Sequence, residues 1–156
     1  MEKVPMTPQG HQGLMDELRN LKEVERQKII ADLAEARAHG DLKENAEYHA
    51  ARERQSFNEG RIQELESVLT RIEVIDYTKF SGDNIRFGAT VELYDEQTEQ
   101  NATYMIVGHY EADINKNRLS LQAPLSRALI GKNPGDVVKV TTPGGQKSYE
   151  ILTVSY

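Results

Sequence analysis

The chain has 156 residues, of which 28% are charged and 38% are hydrophobic, and its formal net charge is -6 at pH 7. This composition excludes a disordered chain, and no apolar run approaches the length of a membrane span. The acidic balance argues against a protein that holds nucleic acid through a broad positive field, so any RNA or DNA contact is expected to be local. With no cysteine, the chain has no disulfide framework and no thiolate metal site. Residues Met1 to Pro5 lack the layout of a secretory signal, so a cytoplasmic location is expected.

A long helix is predicted to start at Thr7 and Pro8, with Thr7 as the N-cap and Pro8 in the first helical position. Leu14, Leu18 and Leu21 then recur at alternating four- and three-residue steps. Apolar character continues through Ile30, Leu33 and Ala34. The same spacing also lands on Glu25 and Lys28, so we expect a local skip in the pattern of this helix.

A second long helix is predicted from about Asn45 to Ile72, again from the spacing of apolar residues. Its seam is clearest at Ile62, Leu65, Leu69 and Ile72, and we expect Ala46, Ala50 and Phe57 to extend it. Each helix would be about 40–50 Å long at 1.5 Å per residue. Because the break at His39 and Gly40 is short, the two helices are expected to form an antiparallel hairpin, a coiled coil.

The second half of the chain has a different pattern, with short β-branched runs separated by Gly and Pro. Helical periodicity stops near Val74–Asp76, which predicts a helical domain over residues 1–75 and a second domain over 76–156. The second domain is expected to be a twisted antiparallel sheet with one short helix at Ser126–Lys132, so the fold class is α+β. The predicted strands are Thr90–Leu93, Thr103–Val107, Arg118–Leu121, Val137–Val140 and Leu152–Tyr156.

Two carboxylates, Asp41 and Glu44, lie in the short break between the helices. At the turn into a helix, this spacing allows both to converge on one point. The two carboxylates are suitable ligands for Mg²⁺, since this ion commonly takes only one or two protein carboxylates and fills its other positions from outside. The same spacing also fits a helix-capping box, with Gly40 ending the preceding helix, and the two interpretations stay open.

Basic and aromatic residues flank this tip. Arg37, Lys43 and Arg52 could meet phosphate oxygens or be ordinary solvated charges. Tyr48 could stack on a base or pack against the helix seam. The four histidines show no metal-ligand spacing with one another, and no hydrolase-type set of nucleophile and base is visible.

Several stretches of the chain, above all the run from Gly40 to Glu53, match a known family. The matching stretches are Pro5–Thr7 with Leu14, Glu17–Leu18 and Leu21–Lys22, then Ile29–Ile30, Ala34–Arg37, Gly40–Glu53, Phe87–Ala89, Ile106–Gly108, Glu111–Asp113, Ala128–Lys132 and Thr142–Gly145. On these residues the chain resembles the bacterial Gre transcript-cleavage factors, and their GreA type most closely. The resemblance covers nearly the whole chain, and the tip run is far more specific than a capping box requires.

The resemblance implies a helical hairpin that enters the secondary channel of RNA polymerase and an FKBP-like domain that docks outside that channel. It implies that Asp41 and Glu44 help to hold a Mg²⁺ ion shared with the polymerase and position the attacking water. The substrate would be the nascent RNA 3′ end of a backtracked elongation complex, cleaved into short fragments by the polymerase's own activity. The protein would be an accessory factor, not an enzyme, and a monomer in a one-to-one complex. The implied RNA or polymerase contacts are Arg37, Lys43 and Arg52 on the hairpin, and the implied docking residues are Pro124, Arg127 and Leu129.

The chain departs from the family pattern at three positions. Ala123 stands where Ser is usual before Pro124, and Ser126 replaces a small apolar residue. Gln27 stands where relatives often carry Pro, which should make the first helix more continuous. These changes affect expectations about docking and bending and leave both tip carboxylates in place.

Three other functions stay open from the sequence. A Gre homologue could occupy the same channel and inhibit, although the retained Asp41 and Glu44 favour activation. A prolyl isomerase or coiled-coil chaperone is suggested by the FKBP-like half, which is poor in the aromatic residues that such a pocket needs. A free-standing nuclease is disfavoured, because two carboxylates without further ligands should bind Mg²⁺ weakly.

Overall fold

The computed structural model describes residues 2–156, so Met1, where the predicted helical domain and the N-terminal segment begin, lies outside the described residues. The chain forms two compact units. The first contains His11–Ile72, and the second contains Val4–Gly10 and Glu73–Tyr156. The helices are α1 (Pro8–Asn20), α2 (Arg26–Ala38), α3 (Ala46–Leu69) and α4 (Pro124–Leu129). The strands are β1 (Val4–Met6), β2 (Ile72–Val74), β3 (Thr90–Asp95), β4 (Gln100–Val107), β5 (Arg118–Ser120), β6 (Val137–Thr142) and β7 (Gly145–Ser155).

The first unit is the predicted antiparallel hairpin, in which α3 packs against α1 and α2. Its ion pairs join residues whose order along one helix is the reverse of the order along the other. The pairs are Glu17–Arg61, Arg26–Glu59 and Asp32–Arg54, each with a nitrogen–oxygen distance of 2.8 Å. Arg26 binds both carboxylate oxygens of Glu59, and this hydrogen bonding lowers the pKa of Glu59 below its ordinary value. Because all six side chains are partly solvated, these pairs agree with the antiparallel arrangement and contribute little to the stability of the fold.

A single π-helical turn, Leu21–Glu25, separates α1 from α2. The backbone N–H of Arg26 donates to the carbonyl of Leu21, five residues earlier in the chain, where an α-helix would use four. The extra residue changes the phase of the helix, so that Ile29 and Leu33 are buried in place of Glu25 and Lys28. The predicted skip is therefore confirmed, and the helical run continues past it through Gln27 without a break.

The extension of the seam on α3 was predicted wrongly. Ala46, Ala50 and Phe57 are all exposed, and Phe57 keeps 82% of its surface accessible. Ala51 and Asn58 are buried instead, one residue further along in each case, and they continue the spacing of the buried residues Ile62, Leu65 and Val68. Leu69 and Ile72, at the end of the predicted seam, are half-buried.

Asn58 can be buried because its side-chain amide has a partner in the π-turn. Its Nδ2 donates to the backbone carbonyl of Leu21 at 3.2 Å. That carbonyl already accepts from Arg26, and a carbonyl oxygen has two lone pairs to offer. A buried polar side chain that is hydrogen-bonded in this way favours one register of a helix pair over the alternative registers.

The second unit is built on a five-stranded sheet in the order β5-β4-β3-β7-β6. Neighbouring strands are antiparallel except β4 and β5, which are parallel, so the expectation of a purely antiparallel sheet is wrong at this edge. The cause is the connection between them. Two short 3₁₀ turns, His109–Glu111 and Ile114–Lys116, carry the chain back, so that β5 starts beside Met105 and runs in the same direction as β4.

The core of this unit lies between one face of the sheet and α4. The strands contribute alternate residues to it, as β3 does with Val91 and Leu93. Leu129 of α4 is fully buried against them. The short helix was expected at Ser126–Lys132 and begins two residues earlier, because Pro124 suits the first turn of a helix.

The N-terminal segment Val4–Gly10 belongs to the second unit, although the sequence analysis placed it with the helices. Strand β1 pairs with β2 in a separate two-stranded sheet. The carboxylate of Glu111 accepts hydrogen bonds from the backbone N–H groups of Thr7 and Gly108, both at 2.9 Å, and from the Thr7 hydroxyl. Thr7 Oγ1 accepts from the N–H of Gly10 at 3.0 Å, which confirms Thr7 as the N-cap of α1.

Across residues 2–156, none of the helices combines the length and the apolar character needed to cross a membrane.

The substitution Asn58→Asp tests whether the bond to the π-turn sets the register of the hairpin. A carboxylate cannot donate to the Leu21 carbonyl and would be buried without a partner. We expect the free energy of unfolding in urea to fall by about 2–3 kcal/mol. Asn20→Asp, which makes the same chemical change at an exposed position, should leave stability nearly unchanged. Equal stability of the two variants would contradict a role for Asn58.

The substitution Ser126→Ala should stabilise the second unit. Ser126 is fully buried, and its hydroxyl has no hydrogen-bond partner among the described residues. Because an unpaired buried hydroxyl is unfavourable and alanine is the better helix former, we expect a gain of about 1 kcal/mol. Ser120→Ala is the contrast, since it removes the acceptor of the Gln122 N–H and should destabilise. A loss of thermal stability in Ser126→Ala would contradict this interpretation.

Candidate metal site at the hairpin tip

The tip of the hairpin begins where α2 ends. His39 is the C-cap residue that follows Ala38, and Gly40 comes next with a φ of 107°. Side chains other than glycine adopt this left-handed conformation only with strain, so the predicted helix-ending role of Gly40 is confirmed. No heavy atom lies within 4 Å of the position that a Cβ would take, so the backbone conformation, and not crowding, requires glycine here.

Helix α3 is capped by Asn45, and not by Asp41. Asn45 Oδ1 accepts from the backbone N–H of Tyr48 at 3.0 Å, and Asn45 Nδ2 donates to the carbonyl of Ala36 at 2.7 Å. One side chain therefore starts α3 and also ties it to the last turn of α2. The interpretation of Asp41 and Glu44 as a capping box is wrong, since both precede the cap residue.

Asp41 and Glu44 are both exposed in the turn before this cap. One oxygen of Asp41, Oδ1, accepts from the backbone N–H of Lys43 at 3.0 Å, which leaves the second oxygen free. Among the described residues, Glu44 has neither a hydrogen-bond partner nor an ion-pair partner. Apart from Asp41 Oδ1, the carboxylate oxygens of the tip are therefore available to a partner.

Carboxylate oxygens are the type of ligand that Mg²⁺ prefers, but two carboxylates are too few to fill its coordination sphere. Mg²⁺ prefers hard oxygen ligands in octahedral geometry and often takes one or two of them from a protein. Within residues 2–156, no group of three or more His, Cys, Asp or Glu side chains is placed to hold a metal ion. The tip carboxylates thus suit a metal site whose remaining ligands come from another molecule. Their assignment as metal ligands stays a prediction.

The basic residues near the tip differ in how firmly they are held. The guanidinium of Arg37 lies 5.8 Å from the centre of the Tyr48 ring, a cation–π contact that restrains it beside the tip. Tyr48 itself packs against Ile29, Leu33 and Ala51, which favours its packing role over base stacking. Lys43 is exposed, and its carbonyl oxygen lies 2.9 Å from Nε2 of His49.

Arg52 is exposed on α3, and no hydrogen bond or ion pair engages it in the described part of the chain. Arg37, Lys43 and Arg52 are therefore all accessible to a partner. Their roles in contacting RNA or polymerase stay predictions.

The three predicted docking residues on α4 do not form one surface. Pro124 and Arg127 are exposed. Leu129 is fully buried in the core of the second unit, so its prediction as a docking residue is wrong. It faces the sheet because it lies on the apolar side of the short helix, while Ile130, the next residue, is 38% exposed.

Both parts of the chain match models of one protein family. Residues 4–74 match the model described as Transcription elongation factor, N-terminal, and residues 80–156 match Transcription elongation factor, GreA/GreB, C-term. The chain belongs to the GreA/GreB family of transcription elongation factors. The resemblance noted from the tip run and the downstream motifs is confirmed.

Two relatives show how far the similarity of this GreA/GreB family member extends. It is 61% identical over 154 residues to Transcription elongation factor GreA of Rickettsia conorii, covering 99% of this chain and 95% of the relative. It is 60% identical over 156 residues to the GreA of Caulobacter vibrioides, covering 100% and 99%. Among solved structures, it is similar to GreA factor homolog 1 (Gfh1) of Thermus thermophilus, with a TM-score of 0.45, 27% identity and coverage of 99% and 100%.

The sequence analysis did not find the role of Asn45, although a signal for it exists. Asparagine is among the preferred N-cap residues, and Asn45 directly precedes the first helical residue. Asp41 and Glu44, a few residues earlier, have the spacing of a capping box, and this signal pointed to them instead of Asn45.

Two substitutions of Asn45 separate its two hydrogen bonds. Asn45→Ala removes both and should lower the free energy of unfolding by about 1–2 kcal/mol. Asn45→Ser keeps a capping acceptor for the Tyr48 N–H and loses the amide donor to Ala36, so its loss should be smaller. Urea titration followed by circular dichroism measures both, with Asn20→Ala as the exposed control. Unchanged stability in Asn45→Ala would contradict the capping role.

Proposed function

We propose that this chain stimulates the cleavage of backtracked nascent RNA by bacterial RNA polymerase. The hairpin enters the secondary channel and carries its tip to the polymerase active site. Cleavage releases a short 3′ fragment and leaves a new 3′ hydroxyl in register, so that an arrested complex can resume elongation. The observation that carries the proposal is that Asp41 and Glu44 are exposed at the tip and that neither of them caps helix α3.

The local structure supports a positioning role for these carboxylates. The hydrogen bond from the Lys43 N–H fixes one oxygen of Asp41 and so directs the other outward. Asn45 fixes the point at which α3 starts and limits how far the tip can move relative to the ends of both helices. Glu44, one residue before this anchor, has a longer side chain and both oxygens available. Such preorganisation reduces the entropy lost when ligands are arranged around a reacting centre.

We propose that Asp41 and Glu44 complete a Mg²⁺ site to which the polymerase and the scissile phosphate contribute the other ligands. Magnesium supplies the Lewis acidity that activates water and stabilises the negative charge of phosphodiester hydrolysis. The two carboxylates hold their share of this site and orient the attacking water by accepting its hydrogen bonds. With only two ligands of its own, the chain acts as an accessory factor, and the nuclease activity is that of the polymerase.

The basic residues would act on the phosphates of the extruded RNA or on the polymerase. Arg37, held against Tyr48, is the best oriented of them, because its side chain has lost part of its freedom before binding. Lys43 lies between the two carboxylates in sequence and could neutralise a phosphate beside them. Arg52 would make a contact further along α3.

The second unit would dock on the polymerase outside the channel. Pro124 and Arg127 are its exposed residues among those implied by the resemblance, and Leu129 supports them from the core. We propose a one-to-one complex of a monomer with the polymerase, in the cytoplasm where that enzyme works.

The test is RNA cleavage in a stalled, backtracked bacterial elongation complex with Mg²⁺. The double variant Asp41→Asn/Glu44→Gln keeps the size of both side chains and removes their charge. We expect its cleavage rate at saturating protein to fall by about a hundredfold or more, as for the loss of groups that stabilise charge in a transition state. Asp83→Asn, at an exposed position of the second unit, should cleave at the wild-type rate.

Binding must be measured beside cleavage, by competition for the polymerase. Loss of cleavage with binding retained supports the proposal. Equal cleavage by the wild type and the double variant would contradict it, and binding without stimulation by the wild type would favour an inhibitor of the same channel. RNA hydrolysis without polymerase would point to a free-standing nuclease.

A further inference from the structure

Phe57 is the most exposed of the large hydrophobic side chains in the described part of the chain, with 82% of its surface accessible. Its position follows from the register of the hairpin. Asn58 occupies the seam through its bond to Leu21, and the preceding residue on a helix points about 100° away from the seam. The fold therefore places an aromatic ring on the surface at the level of the π-turn.

Phe57 is part of a groove along the hairpin. Leu21 and Ala50 contribute apolar surface beside it, and Glu25 and Glu53 lie at its sides. A second hollow, lined by Glu35 and Glu47 among others, lies beside this groove and shares the lining residues Ala50 and Arg54 with it. We call the groove and the hollow together the Phe57 trough.

The Phe57 trough is strongly acidic. Five carboxylates line it, and the single guanidinium, Arg54, is already paired with one of them, Asp32, at 2.8 Å. Among the described residues, Glu53 has no cationic partner. A phosphate backbone would be repelled here, whereas a cation would be attracted. The charge therefore favours a basic protein segment over RNA.

We propose that the Phe57 trough binds an arginine- or lysine-bearing segment of RNA polymerase, in the wall of the channel that the hairpin enters. This inference rests on the proposed function. Phe57 lies 11 residues beyond the start of α3 at Ala46, or about 16 Å along the helix at 1.5 Å per residue. The trough therefore follows closely behind the tip on the part of the hairpin that enters the channel in the proposed complex.

The chemistry of the trough suits such a side chain. The aliphatic stem packs on Leu21 and Ala50, and the cation lies over the face of the Phe57 ring. Glu53, which is free to pair, accepts hydrogen bonds from the cationic group. Aromatic side chains, phenylalanine included, are enriched in the buried centres of protein–protein interfaces.

The contact would bind the hairpin in the channel without taking part in the reaction. Substitutions in the trough should therefore change the affinity for polymerase and leave the cleavage rate at saturation unchanged. The tip carboxylates should show the opposite behaviour. This difference separates the two sites experimentally.

The experiment measures the Kd for RNA polymerase and the single-turnover cleavage rate at saturating protein, with the full-length chain. Phe57→Ala and Glu53→Lys should each weaken binding by about tenfold, a typical hot-spot effect, with the saturating rate unchanged. The matched controls are Ile30→Ala, which removes an exposed apolar side chain of α2 outside the trough, and Glu73→Lys, which makes the same charge change elsewhere. Both should bind as the wild type does. Circular dichroism checks that each variant is folded, which is expected because the altered side chains are exposed.

Wild-type affinity in Phe57→Ala would overturn the proposal for the trough, whatever the result of the cleavage assay. Weakened binding by the trough variants together with normal cleavage by Asp41→Asn/Glu44→Gln would support the trough and overturn the tip mechanism. A wild type that does not bind polymerase would overturn both. Binding of a short RNA oligonucleotide that is lost in Phe57→Ala would show that RNA is the occupant, and it would overturn the proposed protein contact.

Discussion

The hydrogen bond from Asn58 to the Leu21 carbonyl is the constraint on which the helical unit depends. The π-turn leaves the Leu21 carbonyl able to accept a second donor, and the buried amide of Asn58 needs an acceptor. The Asn58 amide donor therefore has a partner only in one register of the hairpin. That register buries Ile62 and Leu65 and exposes Phe57. The ion pairs between the helices are half-solvated and reinforce a choice that the buried bond has already made.

At the far end of the hairpin, Asn45 plays a related part. It uses both groups of its side chain, one to start α3 and one to hold the end of α2. Gly40 provides the change of direction that no other residue makes without strain. Because these two residues end α2 and start α3, neither Asp41 nor Glu44 is needed to cap a helix. The local fold and the proposed chemistry are thus carried by different side chains only a few positions apart.

The hairpin also carries two different functional surfaces, the tip and the Phe57 trough. The tip offers two acidic side chains, which suit a metal site completed by another protein. The trough offers an aromatic ring among acidic residues, which suits a contact that binds without reacting. The proposed function needs both kinds of surface, one to complete the metal site of the polymerase and one to bind the polymerase.

The sequence by itself determined the α+β class, both long helices, the five strands of the large sheet and the family, because periodic apolar residues, turn residues and specific motifs are local signals. It also determined that the helical pattern must skip near Glu25. Only the tertiary structure decided what the skip does. The side of α3 that is buried depends on the hydrogen bond from Asn58 to a carbonyl 37 residues away. No local signal predicts that a polar residue is buried while the neighbouring Phe57 is exposed. In the same way, the parallel pairing of β5 and the burial of Leu129 follow from contacts between distant parts of the chain, which apolar spacing alone does not specify.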